Sequence, residues 1–137
     1  MLSKVQQWIA SKQYPHLDWL QVEITTRCDA ACSYCPRTIY HDQWQNRDLT
    51  PDLFTAALPV MKKARIVHLQ GWGEPFLHPD FFSMIRLAKS QGCCVTSTTN
   101  GNLIGDAEIE EIFSSGLDML SFSLAGFGAV NDSVRNG

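Results

Sequence analysis

The sequence predicts an α/β protein in which parallel strands alternate with helices. Four short segments rich in β-branched and large apolar residues are separated by segments whose apolar residues recur at helical spacing. The links between these segments are short, and each predicted strand is followed by a loop of small, polar or cysteine residues. Such a pattern is typical of βαβ units with right-handed crossovers. Two architectures accommodate these units, an open doubly wound sheet and a (β/α) barrel.

Length and composition indicate one globular domain. The 137 residues are 45% hydrophobic and 18% charged, which argues against disorder. A net charge of −3 without any basic run gives no indication of a nucleic-acid partner. No apolar stretch approaches the roughly 20 residues of a membrane span, and the N-terminus lacks the apolar core of a signal peptide. We therefore expect no membrane association and a location in the cytoplasm.

Residues 1–18 predict a short amphipathic helix that docks on the fold. Leu2, Val5, Trp8 and Ile9 recur at the spacing of one helix face. Residues 19–137 contain no low-complexity segment, long linker or charge block, so we expect them to form a single domain.

The first strand–helix unit begins with a predicted strand at Trp19–Thr25, followed by a loop that carries three cysteines. Thr50 is a typical helix N-cap residue and Pro51 suits the first helical position. The apolar residues that follow predict a helix, and we expect Pro59 to bend or split it.

The second unit predicts a strand at Arg65–Gln70 and a helix that opens at Pro79 and ends at Gly92. The remaining segments predict, in order, a strand at Cys93–Thr99, a helix from Asp106 closed by Gly116, a strand at Met119–Leu124 and the start of a helix at 131–135.

The unusual residue clusters all follow predicted strands. Because the carboxyl ends of parallel strands meet at one edge, we expect these clusters to form a single site there. They are the cysteine loop at 28–35, G-W-G-E-P at 71–75, T-N-G at 99–101 and Ala-Gly at 125–126.

The cysteine loop, C-D-A-A-C-S-Y-C, predicts a metal centre. Cys28, Cys32 and Cys35 are soft thiolate ligands, which select zinc, copper(I) or iron–sulfur clusters. A structural zinc site needs four protein ligands, and His41 is the available fourth. A [4Fe–4S] cluster held by three thiolates keeps one iron open for an outside ligand, which is typical of a site that does chemistry. The spacing and the position after a strand favour the cluster.

The cysteine loop also resembles a known family motif. Its pattern matches the C-x3-C-x-Φ-C motif of radical S-adenosylmethionine (SAM) enzymes, with Tyr34 at the aromatic position. G-W-G-E-P, T-N-G and S-L-A-G are similar to motifs that this family carries after strands two, three and four. The resemblance extends from about Leu20 to the end of the chain. It implies a partial TIM-type barrel, of which residues 19–137 supply about four βα units.

The resemblance implies a radical reaction that uses two cofactors. In this family three cysteines hold a [4Fe–4S] cluster, and the amino and carboxylate groups of SAM bind the fourth iron. One electron then cleaves SAM to methionine and a 5′-deoxyadenosyl radical, which abstracts hydrogen from the substrate. The implied class is an oxidoreductase, the implied reductant is a flavodoxin or ferredoxin, and the substrate is an unknown small molecule or peptide.

The matched residues receive roles through the same resemblance. Gly71, Gly73, Glu74 and Pro75 resemble the family's Gly-Gly-Glu-Pro turn, in which backbone carbonyls and the glutamate bind the SAM ammonium. Trp72 stands where many relatives carry the first glycine of that turn.

Three further residues are expected at the SAM pocket. Tyr34 occupies the position that helps to frame the adenine, Asn100 lines the pocket, and Ser123 lies near the ribose hydroxyls or the SAM carboxylate. Many relatives carry an aspartate where this chain has Ala125, so we expect its ribose contact to be absent.

The family's core usually has six strands, and this chain supplies about four. We therefore expect a fragment, a truncated gene product or one half of a split protein whose C-terminal half is on another chain. The uncovered edge of strand four predicts poor solubility or self-association. Two alternatives stay open: a catalytically incomplete iron–sulfur module, and a zinc domain that uses Cys28, Cys32, Cys35 and His41.

Overall fold

The computed structural model describes residues 16–136 and contains one parallel four-stranded sheet. Its strands are β1 (Leu17–Val22), β2 (Ala64–Leu69), β3 (Cys94–Thr99) and β4 (Met119–Phe122), and their spatial order is the chain order. Each strand pairs in parallel with the next, which confirms the predicted α/β class. The predicted amphipathic helix of residues 1–18 falls on residues outside the described part, except that β1 already begins at Leu17.

Within residues 16–136, five α-helices connect and follow the strands. They are α1 (Pro36–Ile39), α2 (Pro51–Met61), α3 (Phe81–Lys89), α4 (Asp106–Ser115) and α5 (Ala129–Arg135), and a 3-10 turn occupies Pro75–Leu77. The sequence did not predict α1, which is only one turn long and follows directly on Cys35. Within residues 16–136, no helix is long and apolar enough to cross a bilayer.

The helices differ from the sequence prediction in several places, including the start of α5 at Ala129 rather than at residue 131 and the end of α3 at Lys89 rather than at Gly92. The split expected at Pro59 is absent, because α2 runs through it to Met61. A proline this close to the end of a helix removes a single hydrogen bond. The helix predicted to open at Pro79 begins instead at Phe81, after the 3-10 turn and a bend in which the Asp80 N–H donates to His78 Nδ1 at 3.0 Å.

The hydrophobic core lies between one face of the sheet and helices α2 and α3. Val67 and Leu69 of β2 and Val95 of β3 are fully buried on this face. From the helices they meet Phe54, Met61, Phe81, Met84, Ile85 and Ala88. Because side chains alternate along a strand, the residues between these core positions point to the opposite face.

The opposite face of the sheet is largely polar. The register places Gln21 beside His68 and His68 beside Thr96. His68 is buried, its Nδ1 lies 2.8 Å from Thr96 Oγ1, and its ring lies 4.8 Å from the Trp19 ring. Burial lowers the pKa of His68. This face continues into the carboxyl edge of the sheet, where the predicted clusters lie.

Candidate functional site

A cavity of about 170 Å³ lies at the carboxyl edge of the sheet, and residues that follow all four strands line it. We call it the first cavity. It brings together almost every predicted site residue: Cys28, Cys32, Cys35, Tyr34, Gly71, Gly73, Glu74, Asn100 and Ser123. Pro75 is the exception, since it is buried at the start of the 3-10 turn and does not line the cavity. Sequence reasoning missed Ala30, Gln70, Thr98 and Arg135.

The cysteine loop is anchored at its middle by the end of α5. The N–H groups of Ala31 and Ser33 donate to the carbonyls of Asn136 and Val134, at 3.0 and 2.9 Å. The last carbonyls of a helix lack intrahelical partners, so these bonds give the end of α5 its hydrogen-bond donors and the loop N–H groups their acceptors. The loop ends where Cys35 caps α1 and its carbonyl accepts from the N–H of Ile39 at 3.0 Å.

The three thiols are unpaired and line one wall of the first cavity. Cys32 is buried, whereas Cys28 and Cys35 are half-buried. Burial raises the pKa of the Cys28 thiol, although a backbone hydrogen bond from Ala30 and the charge of Arg37 act in the opposite direction. Arg37 also donates to the Ala30 carbonyl, which places its positive charge beside the loop. A positive charge in this position stabilises the negative charge of cysteine thiolates.

The donor set fits a cubane cluster better than a single ion. Within residues 16–136, no three His, Cys, Asp or Glu side chains are grouped so that they could hold one metal ion. In a cubane each thiolate binds a different iron, so its sulfur atoms need not converge on one point. His41, the fourth ligand of the zinc alternative, has 74% of its side chain exposed and pairs with Asp42 at 3.0 Å.

Glu74 joins the loop after β2 to the end of β3. Its side chain is buried, with 2% exposed, and accepts from Thr99 Oγ1 at 2.8 Å and from the N–H of Asn100 at 2.7 Å. A weaker bond at 3.3 Å comes from the N–H of Phe76. Burial raises the pKa of the Glu74 carboxyl, while these hydrogen bonds oppose the rise. A carboxylate offers about four acceptor positions, so these three hydrogen bonds leave one unused.

The two predicted glycines are required by the packing of protein loops. A side chain at Gly73 would collide with the backbone carbonyls of Thr25 and Arg27, the latter 2.7 Å from the position of a Cβ. At Gly71 the same space is filled by the carboxylate of Glu23. The sequence prediction assigned these glycines to close contact with a ligand, and the structure gives them a close contact with the segment that follows β1.

Asn100 connects Glu74 to the cysteine loop. Its backbone N–H donates to Glu74, and its side-chain Nδ2 donates to Asp29 Oδ1 at 2.7 Å. The same Nδ2 lies 3.9 Å from Cys28 Sγ. Asn102 Nδ2 adds a bond of 3.2 Å to the second oxygen of Asp29. Nothing in the sequence distinguished Asp29 from an ordinary loop acid.

Tyr34 and Ser123 also line the first cavity. The hydroxyl of Tyr34, whose side chain is exposed, accepts from Arg135 Nη1 at 2.8 Å. Ser123 follows β4, and its N–H donates to the Thr99 carbonyl at 2.8 Å. At Ala125 the N–H donates to Asn131 Oδ1 at 3.0 Å, so this position holds the start of α5 in place.

Comparison with known proteins places this geometry in a family. Residues 22–136 match the model of the radical SAM superfamily. The chain is 32% identical over 111 residues to a tungsten-containing aldehyde ferredoxin oxidoreductase cofactor-modifying protein of Pyrococcus furiosus, covering 79% of this chain and 31% of that protein. It is 30% identical to a GTP 3′,8-cyclase of Chlorobaculum tepidum, covering 79% and 33%. The chain thus spans about a third of the length of the curated relatives it matches.

Solved structures share the fold. Streptococcus suis SuiB bound to S-adenosylmethionine superposes with a TM-score of 0.74 at 20% identity, covering 93% of this chain and 31% of that one. The four parallel strands and their helices therefore correspond to part of a TIM-type barrel, as predicted. The matched relatives are named as enzymes. The chain belongs to the radical SAM superfamily.

Proposed function

We propose that residues 19–137 form the cofactor-binding part of a radical SAM enzyme that holds a [4Fe–4S] cluster and SAM in the first cavity. The carrying observation is that three free thiols and the Gly71–Glu74 loop line the same cavity. When bound, the cluster supplies one electron that cleaves SAM to methionine and a 5′-deoxyadenosyl radical, which abstracts hydrogen from the substrate.

Each group in the cavity has a proposed task. Cys28, Cys32 and Cys35 hold the cluster, and Arg37 offsets part of the thiolate charge. The free acceptor position of Glu74 takes a charge-assisted hydrogen bond from the SAM ammonium. Carbonyls of Gly71 and Gly73 accept from the same group, while Pro75 fixes the turn that carries Glu74 into the cavity.

Three further lining residues have proposed tasks at the rest of the SAM molecule. Tyr34, held by Arg135, offers an aromatic face to the adenine. Ser123 faces the ribose or the carboxylate. Asn100 keeps the cysteine loop and Glu74 at a fixed separation, because it bonds to both.

The substrate is proposed to be a small molecule or a peptide. Relatives are named for both kinds: one is a GTP 3′,8-cyclase, and SuiB has been solved with its precursor peptide SuiA. A flavodoxin or ferredoxin is the proposed reductant, and a C-terminal half on the same or another chain completes the barrel. Oxidoreductase chemistry and a location in the cytoplasm stay predictions from the sequence.

Anaerobic reconstitution with iron and sulfide, followed by reduction in the presence of SAM, tests the proposal. We expect about four irons per chain, the absorbance of a [4Fe–4S] cluster, and 5′-deoxyadenosine as a product detected by mass spectrometry. Cys32→Ala should lose the iron. Cys94→Ala is the matched control, because Cys94 lies in β3 outside the cavity and its loss should leave the iron content unchanged.

The second candidate is an iron–sulfur module that binds the cluster without cleaving SAM. It rests on the three free thiols of the first cavity alone, since these can hold a cluster whether or not SAM is cleaved. A reconstituted cluster without 5′-deoxyadenosine would support this candidate, whereas zinc in place of iron under these conditions would contradict both.

A further inference from the structure

A second cavity of about 370 Å³ adjoins the first one. It is lined by Gln21, Glu23, Gln70, Gly71 and Trp72, and the last three of these also line the first cavity. Its volume lies within the range of pockets that hold small ligands or single side chains. A molecule bound in it would lie directly against the contents of the first cavity.

The lining residues come from the polar face of the sheet. Leu20 and Val22 of β1 pack against the core, so the alternation of side chains directs Gln21 and Glu23 to the opposite face. Gln70 follows β2 with the same parity, since Leu69 is buried in the core. Both glutamines therefore line the cavity beside Glu23, and the Gln70 Nε2 donates to the Gly71 carbonyl at 2.5 Å.

Glu23 is the charged group of the second cavity. Its Oε1 accepts from the N–H of Trp72 at 2.6 Å, which fixes the carboxylate above Gly71. Within residues 16–136 Glu23 forms no salt bridge. Glu23 also lines a third cavity together with Arg47, whose guanidinium donates to Gln45. The carboxylate therefore keeps acceptor positions for a cationic ligand.

Trp72 adds an aromatic surface next to this carboxylate. Its side chain is 56% exposed, and it lines both cavities. An ammonium group is attracted both by a carboxylate and by the face of an indole, and the carbon chain that carries it packs on the same ring. A neutral group would lack both the ion-pair attraction and the cation–π attraction, and an anionic group would be repelled by the carboxylate.

We propose that the second cavity binds the substrate and that Glu23 and Trp72 select one carrying a primary amine. This inference rests on the proposed function only in calling the ligand a substrate. The amine belongs either to a free small molecule or to the side chain of a lysine in a peptide, because the recognised chemistry is the same. Gln21 and Gln70 would orient polar groups of the ligand next to the amine.

Binding of simple amines tests the proposal without any turnover. The ¹⁵N-labelled protein, reconstituted with cluster and SAM, is titrated with pentylammonium and with Nα-acetyl-lysine methylamide. Pentanol and Nα-acetyl-norleucine methylamide are the neutral counterparts. The indole N–H signal of Trp72, assigned with Trp72→Phe, reports on binding. We expect each cation to bind at least about tenfold more tightly than its neutral counterpart. The tighter of the two cations identifies the source of the amine.

Glu23→Gln is the decisive variant, because a glutamine oxygen can still accept from the Trp72 N–H. We expect it to weaken amine binding at least about tenfold. Glu110→Gln, on the exposed surface of α4, should leave binding unchanged. Equal binding of amines and neutral compounds, no binding of either, or full amine binding by Glu23→Gln would overturn the proposal. Failure of the wild-type protein to cleave SAM would count against the proposed function instead, because amine binding is measured without turnover.

Discussion

Glu74 serves two purposes at the residue scale, and both depend on its burial. Two strong hydrogen bonds, from Thr99 and Asn100, hold it between the loops after β2 and β3. Glu74 also lines the first cavity, where we propose that its remaining acceptor position binds SAM. Replacing such a residue changes both the stability of the fold and the affinity for the ligand. The two contacts therefore have to be tested separately.

We predict that Glu74→Ala both destabilises the fold and weakens SAM binding. Its loss leaves the Thr99 hydroxyl and the Asn100 N–H without their acceptor, which costs about 2–4 kcal/mol in the free energy of unfolding measured in urea. Thr99→Val is the matched variant, because it keeps the carboxylate. It removes the bond from Thr99 Oγ1 to Glu74 and the bond that Thr99 Oγ1 accepts from the Gly101 N–H. It should cost about 1–3 kcal/mol and change SAM affinity less, as measured by calorimetry. Wild-type SAM affinity in a folded Glu74→Ala protein would remove Glu74 from the SAM site.

The residues of the site were predictable where a motif has a fixed spacing. Cys28, Cys32 and Cys35 and the turn at 71–75 could be located because their chemistry needs neighbouring residues in a set order. Asp29 and Arg135 could not, since their roles come from contacts made across the fold, with Asn100 and Tyr34 respectively. No local pattern in a sequence records such contacts.

At the scale of elements, the segment that follows β1 and the loop that follows β2 are in direct backbone contact. The loop after β2 crosses the segment after β1 at Gly73, and the N–H of Glu74 donates to the Arg27 carbonyl at 2.7 Å. The position of Glu74 in the first cavity therefore depends on Gly73, because only glycine fits where the two segments meet.

We predict that Gly73→Ala separates these two segments. The added methyl group meets the carbonyls of Thr25 and Arg27, which belong to backbone and cannot rotate away. The cost is about 1–3 kcal/mol of unfolding free energy, with loss of SAM affinity because Glu74 moves with the loop. Gly105→Ala is the control, since its methyl group meets only the end of the Glu108 side chain, at 3.2 Å. Equal stability of the two variants would contradict the packing argument.

Sequence reasoning succeeded best for the elements with strong local signals. Thr50 caps α2 as predicted, with its side chain accepting from the Leu53 N–H, and Gly116 ends α4 in the left-handed conformation. The one-turn helix α1 was not predicted, because four residues carry no periodicity. The split expected as one outcome at Pro59 was wrong, since local propensity does not include the core contacts of Phe54 and Met61 on the same helix.

At the scale of the whole molecule, the sheet has two open edges in residues 16–136. β1 pairs only with β2, and β4 only with β3. Large apolar side chains are exposed on and after β4 and on α4: Phe113 is 82% and Phe127 is 91% exposed, and Phe122 and Leu124 are more than half exposed. An unpaired strand edge beside exposed apolar surface is a site for association.

We predict that the 137-residue polypeptide self-associates through this surface. The double variant Phe113→Ser/Phe127→Ser should lower the average mass measured by light scattering toward that of the monomer. Leu53→Ser is the control, because Leu53 is 61% exposed on α2, on a different element, and should not alter the mass. A wild-type polypeptide that stays monomeric at high concentration would contradict the prediction.

The contact between α5 and the cysteine loop has a consequence for the order of events during biosynthesis. Ser33 and Val134 are separated by 101 positions in the chain, yet their bond helps to shape the loop that carries all three cysteines. A ribosome must therefore synthesise the fourth βα unit before the thiols can be held in their final arrangement. We expect metal loading to follow translation of this segment, so that a nascent chain released before residue 134 would expose its cysteines to oxidation.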